Sequence, residues 1–139
     1  MEIFKDETGE VYQAVLDGLK EDLSGLQNDL TIGVKCGKLL IAGVIYSVVG
    51  KVCCMTIYST SPSWCTKANL SRLFELPFDI FDIKIVKAGV SHKNKKANKF
   101  LRRLKLREEG YLRYGRIDGT NEVVFSLTLK ELKEKRWYK

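Results

Sequence analysis

Histidine is nearly absent from this chain, with His92 the single one, and the four cysteines Cys36, Cys53, Cys54 and Cys65 show no Cys-x-x-Cys spacing. A structural zinc set cannot be assembled from such a sparse donor list, so no metal is expected. Cys53 and Cys54 are neighbours in a strand-like stretch and face opposite sides, which prevents them from bridging each other; all four read as reduced thiols acting as small hydrophobes. No run approaches the ~20 apolar residues that span a bilayer. Residues 1–7 carry no basic head and no apolar core, so neither a signal peptide nor a membrane partner is expected, and the expected location is cytoplasmic. Repeats, low-complexity segments and linkers are missing too. The reading is therefore one domain, 1–139, long enough to bury a core without staples.

What is present is an ordinary globular composition, 45% hydrophobic and 29% charged, with a net charge of +7 distributed unevenly. Residues 1–29 are acidic, holding Glu2, Asp6, Glu7, Glu10, Asp17, Glu21, Asp22 and Asp29 against Lys5 and Lys20. The compensating charge concentrates in residues 93–107, where Lys93, Lys95, Lys96, Lys99, Arg102, Arg103, Lys105 and Arg107 occur without an acid. Such a face is either solvated or attracts phosphates, of a cofactor or of nucleic acid.

Hydrophobic periodicity orders the elements. Val11, Val15, Leu19, Leu23 and Leu26 recur at helical steps over residues 8–27, interrupted by Gly18 and Gly25. Leu30–Cys36 alternates as a strand, Gly37-Lys38 makes a tight turn, and Leu39–Val49 is an almost continuously apolar strand. Gly50-Lys51 turns into a third strand, Val52–Ser59. A polar loop then opens a helix through Leu70, Leu73, Phe74 and Leu76, which Pro77 is expected to close. Residues 83–90 alternate again. Asn94 can cap a helix carrying Ala97, Phe100, Leu101 and Leu104 on one face. Strands are expected at 111–117 and 122–129, joined by the turn Asp118-Gly119-Thr120-Asn121. This order is that of an α+β fold, a mixed and mainly antiparallel central sheet flanked by helices on both faces.

The second half is more specific. Asn94, Ala97, and then Glu109-Gly110-x-x-Arg113 resemble the GNAT superfamily of N-acetyltransferases, in which this helix opens with Asn, carries a small residue three later and closes in Gly-Phe-x-x-Glu-Gly-x-x-Arg. Here Lys105-Leu106 stands in place of Gly-Phe, and Leu101 stands where many members have a Tyr as general acid. The usual Gln/Arg-x-x-Gly-x-Gly/Ala pyrophosphate loop is replaced by Ser61-Pro62-Ser63-Trp64-Cys65-Thr66-Lys67. That Pro-x-Trp-x-Thr-basic run, with Glu134 three before Trp137, resembles a short subgroup found in phages and prophages.

The resemblance implies acetyl-coenzyme A as cosubstrate and a splay between the strands at 52–59 and 83–90. It implies that the backbone of Met55, Thr56, Ile57 and Tyr58 polarises the thioester. Ser61, Ser63, Trp64, Thr66 and Lys67 would meet the phosphates, Asn94 would hold the pantetheine, and Ala97, Asn98 and Phe100 would pack near its arm. The structural alternative for the loop is a capped helix with Trp64 in the core. Tyr46, Tyr58 and His92 are the candidate proton acceptors, with Tyr58 and His92 carried forward as catalytic. Cysteine nucleophiles would need an activating base, and no such pair is visible. The expected reaction is direct attack by an amine of a small molecule or protein, in a monomer or homodimer. A second class is a catalytically inactive fold serving as a binding or virion-associated protein. A third takes the basic face as a nucleic-acid binder, with Phe100 and Tyr111 interleaving.

Overall fold

The computed structural model describes residues 1–19 and 26–139. Seven strands, β1 (Glu2–Lys5), β2 (Leu30–Cys36), β3 (Leu39–Val49), β4 (Val52–Ser59), β5 (Ile85–Ser91), β6 (Arg107–Leu112) and β7 (Glu122–Thr128), form one sheet in the order β1-β2-β3-β4-β5-β7-β6. All neighbours are antiparallel except β4 and β5. Those two are joined by the crossover helix α2 (Lys67–Ile80), as parallel neighbours must be.

Helices cover both faces. On one, α1 (Glu10–Leu19) buries Val11 and Val15 against Ile45 of β3. Gly33 and Gly43 let it approach, since a Cβ on Gly43 would lie 2.6 Å from Val15 Cγ2. Asp6 caps α1 by accepting the Tyr12 amide at 3.0 Å. Of the helix expected at 8–27, residues 20–25, with Leu23, lie outside the described residues, and Leu26 and Gln27 are not helical. On the other face, α2 and α3 (Lys95–Arg103) press Leu70, Leu73, Phe74, Leu101 and Leu104 onto Val44, Tyr46, Val86, Phe125 and Leu127.

The strands at Leu30–Cys36, Leu39–Val49 and Val52–Ser59 have the bounds expected from the sequence. Four features differ from the sequence reading. The four residues of β1 pair with β2, too short a run to show a period. Pro77 sits inside α2 rather than ending it. The carbonyl that Pro77 leaves without an amide, that of Leu73, accepts the buried Tyr46 hydroxyl at 2.6 Å from β3. The strand expected at 111–117 is β6, which stops at Leu112. Beyond it Tyr114 takes φ 58°, and Asn121 Oδ1 accepts its amide at 3.0 Å, which turns the chain. Finally, Leu129 opens a short helix, α4 (Leu129–Lys133), through a capping box between Thr128 and Glu131.

Helix α3 ends in a Schellman motif: Leu106 N bonds Leu101 O and Lys105 N bonds Arg102 O. Its left-handed position, normally glycine, is Lys105 at φ 63°. Residues 134–139 then cross both helices. Trp137 Nε1 donates to Leu104 O at 2.9 Å, its ring meets Phe74 at 5.6 Å, and Lys135 Nζ donates to Lys105 O at 2.6 Å.

Candidate active site

The centre of the sheet holds the main irregularity. Strands β4 and β5 pair only over Val52–Ile85, Cys53–Val86 and Cys54–Lys87, although both continue, to Ser59 and to Ser91. Beyond Cys54 the two strands part. Thr60 N bonds Ile41 O at 2.9 Å, which fixes which residues of β4 direct their backbone toward β3. By alternation, Thr56 and Tyr58 face β3, while the N–H and C=O groups of Met55 and Ile57 face the opening left by β5. Of the four residues expected to offer backbone to a thioester, these two have the required direction.

Each strand leads from the opening into a capped helix. After β4, Ser61 caps a 3-10 turn over Pro62–Trp64 by accepting the Ser63 amide. Thr66 caps α2 by accepting the Asn69 amide at 3.1 Å, which leaves the Lys67 and Ala68 amides pointing out of the helix start. After β5, Asn94 Oδ1 caps α3 at the Ala97 amide, 3.1 Å away. The two segments meet again where Trp64, 3% exposed, packs on Phe100 with ring centroids 5.9 Å apart. Trp64 is thus a core side chain whose neighbours Ser63, Thr66 and Lys67 stay exposed. Leu101, where the resembling family often has Tyr, is buried in the core at 3%.

On the α1 face, the rims carry different chemistry. Tyr58 lies over Gly18, where a Cβ would come within 2.3 Å of its ring, and lines a cavity of about 460 Å³ with Asp17 and Thr60. Across the opening, Gly89 of β5 has no side chain, and the Glu122 carboxylate of β7 fills the space, 2.5 Å from where a Cβ would sit. Glu122 is nearly covered, pairs with Arg116 at 3.2 Å, and Arg116 also donates to Gly89 O at 3.0 Å. The register places Glu122 opposite Ser91, on the same face as Gly89 and Tyr58. The sequence reading missed this carboxylate. Its only local signal is that it starts the polar side of β7, and the pairing with β5 is what brings it to the rim.

The other candidates sit elsewhere. His92 is held by Asn121, whose amide donates to Nδ1 at 3.1 Å, and stands edge-on to Tyr111, on the β7–β6 side of β5 rather than the β4 side. Asn98 turns inward and donates to Ser91 O and Asn94 O. Tyr46 is fully buried, and burial pushes its phenol well above the ordinary value, so it accepts no proton. Burial, then the neighbouring Cys54, pushes the Cys53 thiol up to about 12, and burial raises Cys65 as well. Both remain thiols at neutral pH, which removes them as nucleophiles.

A central sheet whose two parallel strands part halfway, with helices on both faces, is the fold of the GNAT-type acetyltransferases. The chain superposes on mutant forms of the spermidine/spermine N-acetyltransferase SpeG from Vibrio cholerae at a TM-score of 0.69, with 14% identity, 95% of this chain and 96% of that one covered. It superposes on the ribosomal-protein-S18-alanine N-acetyltransferase from Escherichia coli at 0.66, with 16% identity and coverages of 92% and 93%. Mycobacterium smegmatis RimJ in complex with CoA-disulfide matches at 0.63, with 17% identity and coverages of 78% and 56%. No protein-family model and no curated protein sequence matches the chain.

Proposed function

We propose that this chain is an acetyl-coenzyme-A-dependent N-acetyltransferase in which an amine attacks the thioester directly. The carrying observation is the parting of β4 and β5 beyond Cys54 and Lys87. The residues around it suit the cosubstrate. An opening edged by strand amides fits a thioester carbonyl, and a capped helix start with exposed Thr66 and Lys67 fits a pyrophosphate. Acetyl-coenzyme A supplies the activated acetyl group. The Met55 and Ile57 amides then stabilise negative charge developing on the carbonyl oxygen. Ser61, Ser63, Thr66 and Lys67 hold phosphate, Asn94 the pantetheine, and Ala97 and Phe100 the arm. The amine approaches from the α1 face, past Tyr58; its nitrogen would bond to the acetyl carbon as the C–S bond breaks, coenzyme A would leave as the thiolate, and Glu122 takes the proton the amine loses. The acceptor is an amine-bearing small molecule or protein. The Pro62-x-Trp64 loop sorts the chain with the short phage-type members, and a cytoplasmic location suits the cosubstrate.

The test is thermal. Acetyl-coenzyme A at a hundred times its Kd stabilises by about 2.7 kcal/mol, a rise in Tm of roughly 5–10 °C for a chain of this size. Asn94→Ala and Lys67→Glu each reduce the rise. No shift at millimolar acetyl-coenzyme A refutes the reading. A second reading has support in the Trp64–Phe100 contact, which joins the segments leaving the two strand ends, and in the apolar Leu101. It is an inactive binding protein on the same fold, and a thermal shift without thiol release across a panel of amines would select it.

A further inference from the structure

We propose that the groove between α3 and β6 binds single-stranded nucleic acid, a function separate from the acyl-transfer site on the β4 side. The groove is an open cavity of about 800 Å³. One wall is α3, where Lys95, Lys99 and Arg102 recur at four- and three-residue steps and so share a face, with Lys95 and Lys99 about 6 Å apart along the axis. Among the described residues no carboxylate lies within 4 Å of Lys95 or Lys99, and both are exposed. The other wall is β6, an edge strand, from which Tyr111, a residue 57% exposed, presents its ring.

The two walls differ in the way the two sides of a nucleic-acid strand differ. Phosphates suit the lysine wall. The β6 wall carries Glu108 and Glu109, but Glu108 is paired with Arg102 and Glu109 accepts the Ser126 hydroxyl, so what that wall offers outward is an aromatic platform. Tyr111 is held in place, its hydroxyl accepting from Asn121 Nδ2 at 2.5 Å and its ring meeting His92 at 6.3 Å. A base that stacks there orders no loose side chain. Between the walls lies Asn98, 4% exposed. Its Nδ2 is used twice, while its buried Oδ1 has no hydrogen-bond partner among the described residues. That oxygen is an acceptor at the groove floor, suited to an amino or imino group of a base once the lining moves slightly. The net charge of +7 adds long-range attraction.

Fluorescence anisotropy of a labelled twelve-residue oligothymidylate with the full chain tests this. Binding should weaken with salt with a log–log slope of about −1.4, as expected for two phosphate contacts, at Lys95 and Lys99, on a single strand. Lys95→Glu and Lys99→Glu should abolish it, and Tyr111→Ala should weaken it about fivefold or more. Lys38→Glu makes the same charge change in a remote turn and should leave it unchanged. The acetyl-coenzyme A shift should be unaffected in all of these variants. The proposal is overturned if inorganic polyphosphate competes as well as the oligonucleotide, or if Tyr111→Ala binds normally. It is overturned equally if Lys38→Glu weakens binding as much as Lys99→Glu. A duplex preferred over the single strand, or a protein captured on β6 with no oligonucleotide bound, also overturns it.

Discussion

The bond between Tyr46 and Leu73 makes a quantitative prediction. Pro77 has no amide to give the Leu73 carbonyl, and the buried Tyr46 hydroxyl takes its place at 2.6 Å. Both groups lie in the core, Tyr46 at 0% and Leu73 at 1% exposure. Tyr46→Phe keeps the ring and strands a buried carbonyl, which costs about 2 kcal/mol. With a urea m-value of roughly 2 kcal/mol per molar, the unfolding midpoint should fall by about 1 M. Pro77→Ala returns an amide to that position, able to donate to Leu73 O along the helix. In that background Tyr46→Phe removes one hydrogen bond without orphaning its acceptor, and should cost about 1 kcal/mol less. The assay is a double-mutant cycle of four urea titrations. A coupling of zero within about 0.5 kcal/mol would show that the hydroxyl and the proline solve unrelated problems, and would refute the reasoning.

Two other outcomes follow from the same structure. Lys105→Gly should stabilise the protein by about 0.5–1 kcal/mol, because a left-handed residue with a Cβ costs about 1–2 kcal/mol and glycine's extra unfolded freedom offsets part of the gain; an unchanged or lowered Tm in a thermal melt would contradict this. Stability should also decline above about pH 9. Burial keeps the Cys53 thiol and the Tyr46 phenol protonated in the folded state, Cys53 up to about 12, while the unfolded chain releases those protons near the ordinary values, so rising pH favours unfolding. Urea titrations from pH 7 to 11 should show the loss, with a shallower slope above pH 10 for Tyr46→Phe.

Much of the sheet was legible because its strands are long and its turns are marked. Leu30–Cys36 alternates, Leu39–Val49 is an almost continuously apolar run, and glycines lead the turns after both. Asn94 was readable as a cap because capping is local chemistry. Pro77 misled because its cost inside a helix depends on a partner 31 residues away, which no local rule contains. The parting of β4 and β5 was expected from family resemblance alone; nothing in the alternation of either strand announces that their pairing stops. Glu122 escaped notice for a related reason: its importance lies in the empty side of Gly89, visible only once β5 and β7 are in register. Lys105 shows the opposite case. The departure from Gly-Phe in the sequence left the backbone turn intact, held by Leu106 and by Lys135.

The segment that crosses α2 and α3 near Trp137 gives the molecule a fulcrum. At that end the two helices are pinned by hydrogen bonds to Leu104 and Lys105 and by the ring of Phe74. One helical turn before Leu104, the Trp64–Phe100 ring contact ties the loop after β4 to the same part of α3. That helix is therefore coupled to the loop and to residues 134–139 at one place, and a disturbance of either would reach the other.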